Sequence, residues 1–354
     1  MKINRIGIGV GAYKWQQSYI GLLKEAIDLG VNFIDTAEEY DNGFSEEIVG
    51  EAISNNRSNV FISTKFSPQH NSYQDVLKSV DGSLKRLGVG HIDVYQVHWL
   101  NPDIRLQETI AAMLRLIEMG KIRHLGVCNF YLSDLKHAQL LSENKIDFVQ
   151  IEYNLFDRTV ENGFLEFCQK NNITVIAYSP LDQGRVCNGK SQLAILQRMA
   201  EKYNKSVSQI ALSWILMHQD IIVIPKANNR DHLLQNINAF INLDVEDYEA
   251  IDRHCRTALR HIDPNRIYVT NEGQGCRQTY STIEDAYANK LNFIPSPKQI
   301  SKGLLTNDFI KPVRLQYSQR DDFEYSLIEG RMRYWGWKMA FGDRLIPAYV
   351  REEL

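Results

Sequence analysis

The stretch NFIDTAEEY at residues 32–40 decides the fold, because a short apolar run there ends in Asp35 and Tyr40 follows a few residues later. Two further apolar runs end in the same way, with Lys65 closing VFISTK and His98 closing VYQVH. Helical patterns lie between these runs. A barrel of parallel strands gathers the carboxyl ends of its strands around one pocket, so this order predicts that the four side chains meet.

Strand and helix patterns alternate over residues 1 to about 256. The strand candidates lie near 5–9 and at 32–35, 60–64, 92–97, 122–127, 148–153, 173–178 and 221–225. Most are continuous apolar runs, which are typical of parallel strands buried on both faces. Eight such units favour a (β/α)8 TIM barrel. An open doubly wound sheet is disfavoured, because IGIGVGAYKW matches the GxGxxG turn poorly.

The alternation stops after a predicted helix at 243–255. We predict that residues 1–258 form the barrel and that 259–285, with its proline and glycines, form a linker. Residues 286–354 are expected to form a small α+β domain of short strands around one or two helices.

Composition excludes several classes of function. The net charge of −3 indicates neither a nucleic-acid nor an anionic-membrane partner. No apolar run approaches the roughly 20 residues of a membrane span, and the start of the chain lacks a signal-peptide pattern. Five scattered cysteines without CxxC spacing predict no metal site and indicate a cytoplasmic protein with reduced thiols.

The four polar residues suit the reduction of a carbonyl by a nicotinamide. A tyrosine, whose ordinary pKa is near 10, can deliver a proton to the carbonyl oxygen if a lysine ammonium lowers that pKa. An aspartate can hold the lysine, and a histidine can orient the oxygen. Each residue alone has a structural explanation, such as packing or a solvated strand end, so the prediction depends on their combination and order.

The motifs resemble those of the aldo-keto reductase family over residues 4 to about 256. DTAEEY matches its Asp-Thr-Ala-x-x-Tyr motif, and SEEIVGEAI matches the Ser-Glu motif that follows. The lysine strand is matched by ISTK and the histidine strand by VYQVHW. The Gly-Val-Ser-Asn-Phe motif is matched, with one change, by GKIRHLGVCNF. The resemblance implies that Tyr40 is the general acid, that Lys65 and Asp35 tune it, and that His98 orients the carbonyl oxygen.

The resemblance also implies a site for NADPH, with NADH as the open alternative. The positions that match contacts to the nicotinamide and pyrophosphate are Cys128, Asn129, Gln150, Tyr178, Ser179 and Leu181. The positions that match the adenosine end are Lys226, Ala227, Arg230, His232 and Asn236. Ala227 and His232 replace a serine and an arginine of the family, so Lys226 would meet the 2′-phosphate and Arg230 is the candidate to replace the lost arginine.

The carboxy-terminal stretch LIEGRMRYWGWKMAFGDRLIPAYV resembles the ParB/sulfiredoxin-like superfamily. That resemblance implies a nucleotide or phosphate site at a glycine–arginine turn, built from Gly330, Arg331 and Arg333, with Glu329 as an acid or base. The alternative is a module that packs on the barrel or mediates dimers.

The sequence therefore predicts an NAD(P)H-dependent reductase of an aldehyde, a ketone or a sugar derivative, since the short segment after His98 leaves an open pocket. A redox-sensing regulatory protein and a bifunctional enzyme remain alternatives. The oligomeric state stays open.

Overall fold

The computed structural model describes residues 2–11, 18–187, 193–269, 278–306 and 311–351. These residues form two compact units. Unit 1 contains the described residues up to Cys255, and unit 2 contains those from Arg256 onward. Within the described residues, no helix is both long and apolar enough to span a bilayer.

Unit 1 is built on a parallel sheet whose strands follow one another in chain order. The strands are β1 Ile8–Gly9, β2 Phe33–Asp35, β3 Phe61–Phe66, β4 Ile92–Val97, β5 Ile122–Cys128, β6 Ile146–Glu152, β7 Thr174–Tyr178 and β8 Ile221–Val223. A parallel bridge between Ile6 and Val223 joins the two ends of the sheet, and Gly7 N donates to Val223 O at 2.9 Å. Each predicted strand coincides with an observed one, and the predicted (β/α)8 architecture is confirmed.

Helices of unit 1 lie between these strands, and the last two follow β8. They are α1 Tyr19–Asp28, α2 Phe44–Ile53, α3 Tyr73–Leu87, α4 Leu106–Glu118, α5 Leu132–Leu141, α6 Phe164–Lys170, α7 Leu193–Tyr203, α8 Val207–Leu216, α9 Arg230–Ile237 and α10 Val245–Cys255. α3 shows why they begin and end where they do. Ser72 accepts a hydrogen bond from Asp75 N at its start, and Gly88 takes a left-handed φ of 63° at its end.

The strands are buried on both faces, and side chains two residues apart share a face. Phe33, Val94, Phe148 and Ile176 belong to one small apolar cluster. Two residues further along the same strands stand Asp35, Gln96, Gln150 and Tyr178. The interior of the barrel therefore changes from an apolar layer to a polar layer towards the carboxyl ends of its strands, where a site can form.

Unit 2 has a mixed sheet with the order β10-β12-β11-β13-β9. Its strands are β9 Leu259–Ile262, β10 Ile267–Tyr268, β11 Val313–Tyr317, β12 Tyr325–Glu329 and β13 Ile346–Arg351, and its helices are α11 Ile283–Tyr287, α12 Pro297–Thr306 and α13 Arg331–Phe341. A separate hydrophobic core includes Leu315, Leu327 and Trp335.

The segment 259–285, which we predicted to be a linker, contributes β9, β10 and α11 to unit 2. β9 pairs with β13 and β10 pairs with β12, so both strands belong to the sheet. They are too short to show a period in the sequence, and Pro264 lies in the tight turn between them. Gly273, Gly275 and Cys276 lie outside the described residues. The domain boundaries and the ParB/sulfiredoxin-like resemblance stay predictions.

Candidate active site

The carboxyl ends of β2, β3 and β4 bring the four predicted catalytic residues together. Asp35 ends β2, Lys65 lies near the end of β3, and His98 directly follows β4. Tyr40 begins a short 3₁₀ turn after β2. The strand register places Asp35 beside Ser63 and Lys65 beside Gln96. A parallel barrel thus gathers residues that are far apart in the chain.

Lys65 and Asp35 form a buried ion pair. Lys65 Nζ donates to Asp35 Oδ2 at 2.7 Å and to the Thr36 carbonyl at 2.7 Å. Asp35 Oδ1 accepts from Ser63 Oγ and from Gln150 Nε2, each at 2.8 Å. Burial lowers the pKa of the Lys65 ammonium, but the charge and hydrogen bond of Asp35, together with Tyr40 and Cys128, raise it, so the pKa lies above its usual value. Lys65 therefore stays charged.

Tyr40 lies against this pair. Lys65 Nζ is 5.0 Å from the centroid of the Tyr40 ring, and the His98 ring meets it edge-on at 5.6 Å. Burial of the phenol raises the pKa of Tyr40 above its usual value, and the lowering effect of Lys65 does not offset it. The expected influence of the lysine is present, but desolvation outweighs it. The hydroxyl accordingly holds its proton at neutral pH.

Two residues that the sequence analysis did not single out complete this polar layer. Gln96 Nε2 donates to Ser63 Oγ at 2.7 Å and lies 3.4 Å from Asp35 Oδ1. Gly126 makes room for Gln96, because a Cβ at that position would come within 2.6 Å of Gln96 Cγ. The available signal was a glutamine inside the otherwise apolar run VYQV.

Glu39 is a third such residue. Its Oε2 lies 2.8 Å from His98 Nδ1, and its Oε1 accepts from Ser67 Oγ at 3.1 Å. In the sequence it occupies a variable position of the DTAEEY motif, directly before Tyr40. That adjacency was the one signal that could have indicated a role.

The residues expected to meet the nicotinamide lie at the ends of β5, β6 and β7. Tyr178 Oη donates to Asn129 Oδ1 at 2.8 Å, and Cys128 Sγ is 3.6 Å from Gln150 Oε1. Burial raises the pKa of the Cys128 thiol to about 12, so Cys128 is neutral. Two amides and a partly exposed aromatic ring suit a carboxamide and its ring. Gln150 also donates to Asp35, which links this group to the ion pair.

The backbone beyond β7 turns sharply at the positions expected to pass the pyrophosphate. Ser179 has a left-handed φ of 47°, and its carbonyl accepts from Asn154 Nδ2 at 3.2 Å. Leu181 begins the next turn, where its carbonyl accepts from Gly184 N at 2.9 Å.

At the expected adenosine end, Lys226 is half-buried. Burial lowers the pKa of Lys226, and Asp41 acts in the opposite direction. Asn236 Nδ2 donates to the Lys226 carbonyl at 3.3 Å, and Ala227 is buried. A half-buried ammonium fits a phosphate.

The two remaining adenosine-end residues lie at the start of α9. Arg230 Nε donates to Glu25 Oε1 at 2.6 Å in a surface ion pair, which engages one of the five N–H donors of the guanidinium. The backbone N–H of His232 caps the helix by donating to Asn229 Oδ1.

Unit 2 carries a separate cluster of charges at the start of α13. Arg333 Nη2 is 3.0 Å from Glu329 Oε1, Lys311 Nζ is 3.9 Å from the same atom, and Arg314 also pairs with Glu329. Arg331 donates to the Ile328 carbonyl at 3.3 Å. Gly330 precedes the helix with a φ of 95°, which favours glycine. The predicted residues do lie together, and Arg314 joins them.

The aldo/keto reductase family matches the chain over residues 5–256. The chain belongs to the aldo/keto reductase family. It is an NAD(P)H-dependent oxidoreductase, as the family match and its reductase relatives show.

Relatives and solved structures agree with this assignment. The methylglyoxal reductase YeaE of Escherichia coli is 37% identical, over 62% of this chain and 78% of that protein. The glyoxal reductase of Bacillus subtilis is 32% identical, over 69% of this chain and 87% of that protein. An aldo/keto reductase of Klebsiella pneumoniae in complex with NADP and acetate is 35% identical, with a TM-score of 0.67, and covers 71% of this chain and 91% of that one.

Proposed function

We propose that this oxidoreductase reduces small carbonyl compounds with NADPH and that Tyr40 is its general acid. The observation that carries the proposal is the buried Lys65–Asp35 pair lying against the Tyr40 ring. Methylglyoxal and glyoxal, on which the two named relatives act, are the first substrates to test. A sugar aldehyde or ketose is the second class, because the short segment after His98 predicts an open pocket that would admit polar substrates.

NADPH is the coenzyme, in agreement with the NADP held by the Klebsiella pneumoniae relative. When bound, it supplies the hydride for the carbonyl carbon. The chain's own residues supply the rest. Tyr40 gives its phenolic proton to the carbonyl oxygen, and Lys65 stabilises the phenolate that remains. Asp35 holds Lys65 in place, and His98 orients the oxygen.

The cofactor residues have separate tasks in this proposal. Asn129 and Gln150 would hold the carboxamide, and the ring of Tyr178 would lie against the nicotinamide. Lys226 would meet the 2′-phosphate, which gives the preference for NADPH over NADH. Because Gln150 also donates to Asp35, binding of the nicotinamide is coupled to the catalytic pair.

The test is the oxidation of NADPH and NADH with methylglyoxal, glyoxal and a set of sugar aldehydes and ketoses. Tyr40→Phe should keep coenzyme affinity within a few-fold and lower turnover by at least roughly 10²-fold. Unchanged turnover in Tyr40→Phe would show that the acid is another residue. Tight coenzyme binding without turnover of any carbonyl would favour a redox-sensing protein.

The cluster at Glu329 supports a second proposal, in which unit 2 binds a nucleotide or phosphate and the enzyme is bifunctional. Arg314, Arg333 and Lys311 all lie at ion-pair distance from Glu329, and this cluster stands beside the start of α13, where backbone N–H groups favour an anion. Calorimetry of the full chain with ADP and with phosphate tests it. Arg333→Gln should weaken binding at least tenfold, while Arg320→Gln, at an exposed pair in the same unit, should not. Equal affinities would refute the site.

A further inference from the structure

The turn between β2 and α2 places an acidic side chain next to the histidine of the proposed site. Glu39 Oε2 lies 2.8 Å from His98 Nδ1, and the other oxygen accepts from Ser67 Oγ. The His98 side chain is 6% exposed, whereas that of Glu39 is 34% exposed. The carboxylate thus lies between solvent and a buried imidazole.

This contact decides which nitrogen of His98 carries a proton. The two atoms lie at salt-bridge distance, although their alignment is not that of a hydrogen bond. A lone pair on Nδ1 would face a carboxylate oxygen and repel it, so the ring is protonated at Nδ1. The neutral ring then has a lone pair on Nε2, whereas the imidazolium has an N–H on both nitrogens.

We propose that Glu39 is a positioning residue that makes His98 active only as an imidazolium. To orient a carbonyl oxygen, His98 must donate a hydrogen bond, and Nε2 is the nitrogen that Glu39 leaves for this task. Beside Glu39, an N–H on Nε2 exists only in the cation. This inference rests on the proposed function, because it requires a carbonyl oxygen within reach of Tyr40 and His98.

The other groups around His98 carry little net charge. Tyr40 contacts the ring edge-on, and its phenol is protonated because burial raises its pKa. Behind Tyr40, the ammonium of Lys65 and the carboxylate of Asp35 offset each other, and Cys128 is a neutral thiol. Glu39 is the carboxylate that lies in direct contact with the imidazole.

The test compares the pH dependence of kcat/KM in the wild type and in Glu39→Gln. In the wild type, kcat/KM should fall about tenfold per pH unit once His98 loses its proton. In Glu39→Gln, the amide can donate to Nδ1, so the neutral ring carries its proton on Nε2 and remains active. The variant should keep its kcat/KM over the same pH range. Superimposable profiles would overturn the proposal.

Glu38→Gln is the matched control. Glu38 precedes Glu39 and pairs with a different imidazole, since its Oε1 lies 2.7 Å from His70 Nδ1. Its profile should follow the wild type. If Glu38→Gln and Glu39→Gln changed the profile alike, the effect would belong to the general charge of the turn, and the specific role of Glu39 would be refuted.

A second measurement is independent of turnover. The imidazole NMR signals of His98, assigned by their loss in His98→Gln, should titrate about one pH unit lower in Glu39→Gln than in the wild type. Equal midpoints would overturn the inference even in an active enzyme. Absence of turnover with every carbonyl would instead refute the proposed function, and the NMR titration would still decide the role of Glu39.

Discussion

Asp35 in unit 1 and Glu329 in unit 2 are carboxylates at the ends of strands, but their surroundings differ in charge. Asp35 meets one cation, Lys65, and otherwise accepts from the neutral donors Ser63 and Gln150. Glu329 lies at ion-pair distance from Lys311, Arg314 and Arg333.

The charges around Asp35 and those around Glu329 fit the different functions proposed for the two sites. At Asp35, an ion pair without net charge is supported by further hydrogen bonds, which offset part of the cost of its burial beside the phenol. At Glu329, an ammonium and two guanidinium groups converge on one strand end beside a helix start. The first arrangement suits acid catalysis, and the second suits anion binding.

The largest expected effect comes from breaking the Lys65–Asp35 ion pair. Lys65→Met should lower turnover by at least roughly 10²-fold, because the phenolate of Tyr40 would lose its stabilising ammonium. It should also lower the free energy of unfolding by about 3–5 kcal/mol, since Asp35 becomes a buried unpaired charge. Urea unfolding and steady-state kinetics measure both.

A double variant separates the two effects of Lys65. Lys65→Met with Asp35→Asn removes both charges, so part of the stability should return while turnover should not. Lys170→Met, at an exposed ion pair of unit 1, is the control and should unfold at nearly the wild-type urea concentration. Recovery of turnover in the double variant would contradict the role of Lys65.

Loss of the Glu329 carboxylate should change stability and phosphate affinity in opposite directions. Glu329→Gln should lower the free energy of unfolding of unit 2 by about 2–4 kcal/mol, because Arg314 is almost fully buried and would lose its carboxylate partner. It should also raise affinity for phosphate, because a negative charge is removed from beside the start of α13. Calorimetry and urea unfolding test the pair of effects. If phosphate affinity fell, Glu329 would be part of the binding surface.

A smaller effect on stability and turnover is expected when Gln96 is replaced in the polar layer of unit 1. Gln96→Leu removes a donor to Ser63 Oγ and should cost about 1 kcal/mol of stability and a few-fold in turnover. The cost is limited because Gln96 Oε1 is buried without a hydrogen-bond partner among the described residues, and leucine removes that unsatisfied atom too. A loss as large as that of Lys65→Met would mean that Asp35 depends on Gln96.

The smallest expected effect is on the pH dependence of stability. Because burial raises the pKa of the Tyr40 phenol, the folded state favours the protonated form. Its contribution to stability is complete below the ordinary pKa near 10 and is lost as the pH rises through the folded value. The wild type should therefore lose more stability than Tyr40→Phe as the pH rises above about 10. Parallel losses in urea unfolding would show that Tyr40 is not desolvated.

Much of unit 1 could be predicted because its strands are continuous apolar runs whose ends are visible in the sequence. Asp35, Lys65 and His98 stand at such ends, and barrel geometry brings them together. Gln96 could not be assigned, since both faces of its strand are buried and either could have held it. The contact of Glu39 with His98 depends on the conformation of a turn, which the sequence does not specify. β9 and β10 were missed because they are too short to show a period.

The residues that fit at positions 126 and 96 depend on each other. A methyl group there would come within 2.6 Å of Gln96 Cγ, so alanine at 126 is admissible only after position 96 has become smaller. A glutamine at 96 likewise requires a glycine on the neighbouring strand. Among descendants of this chain, the two residues should change in a fixed order, first the glutamine and then the glycine, and the polar layer around Asp35 should be lost before its space is refilled.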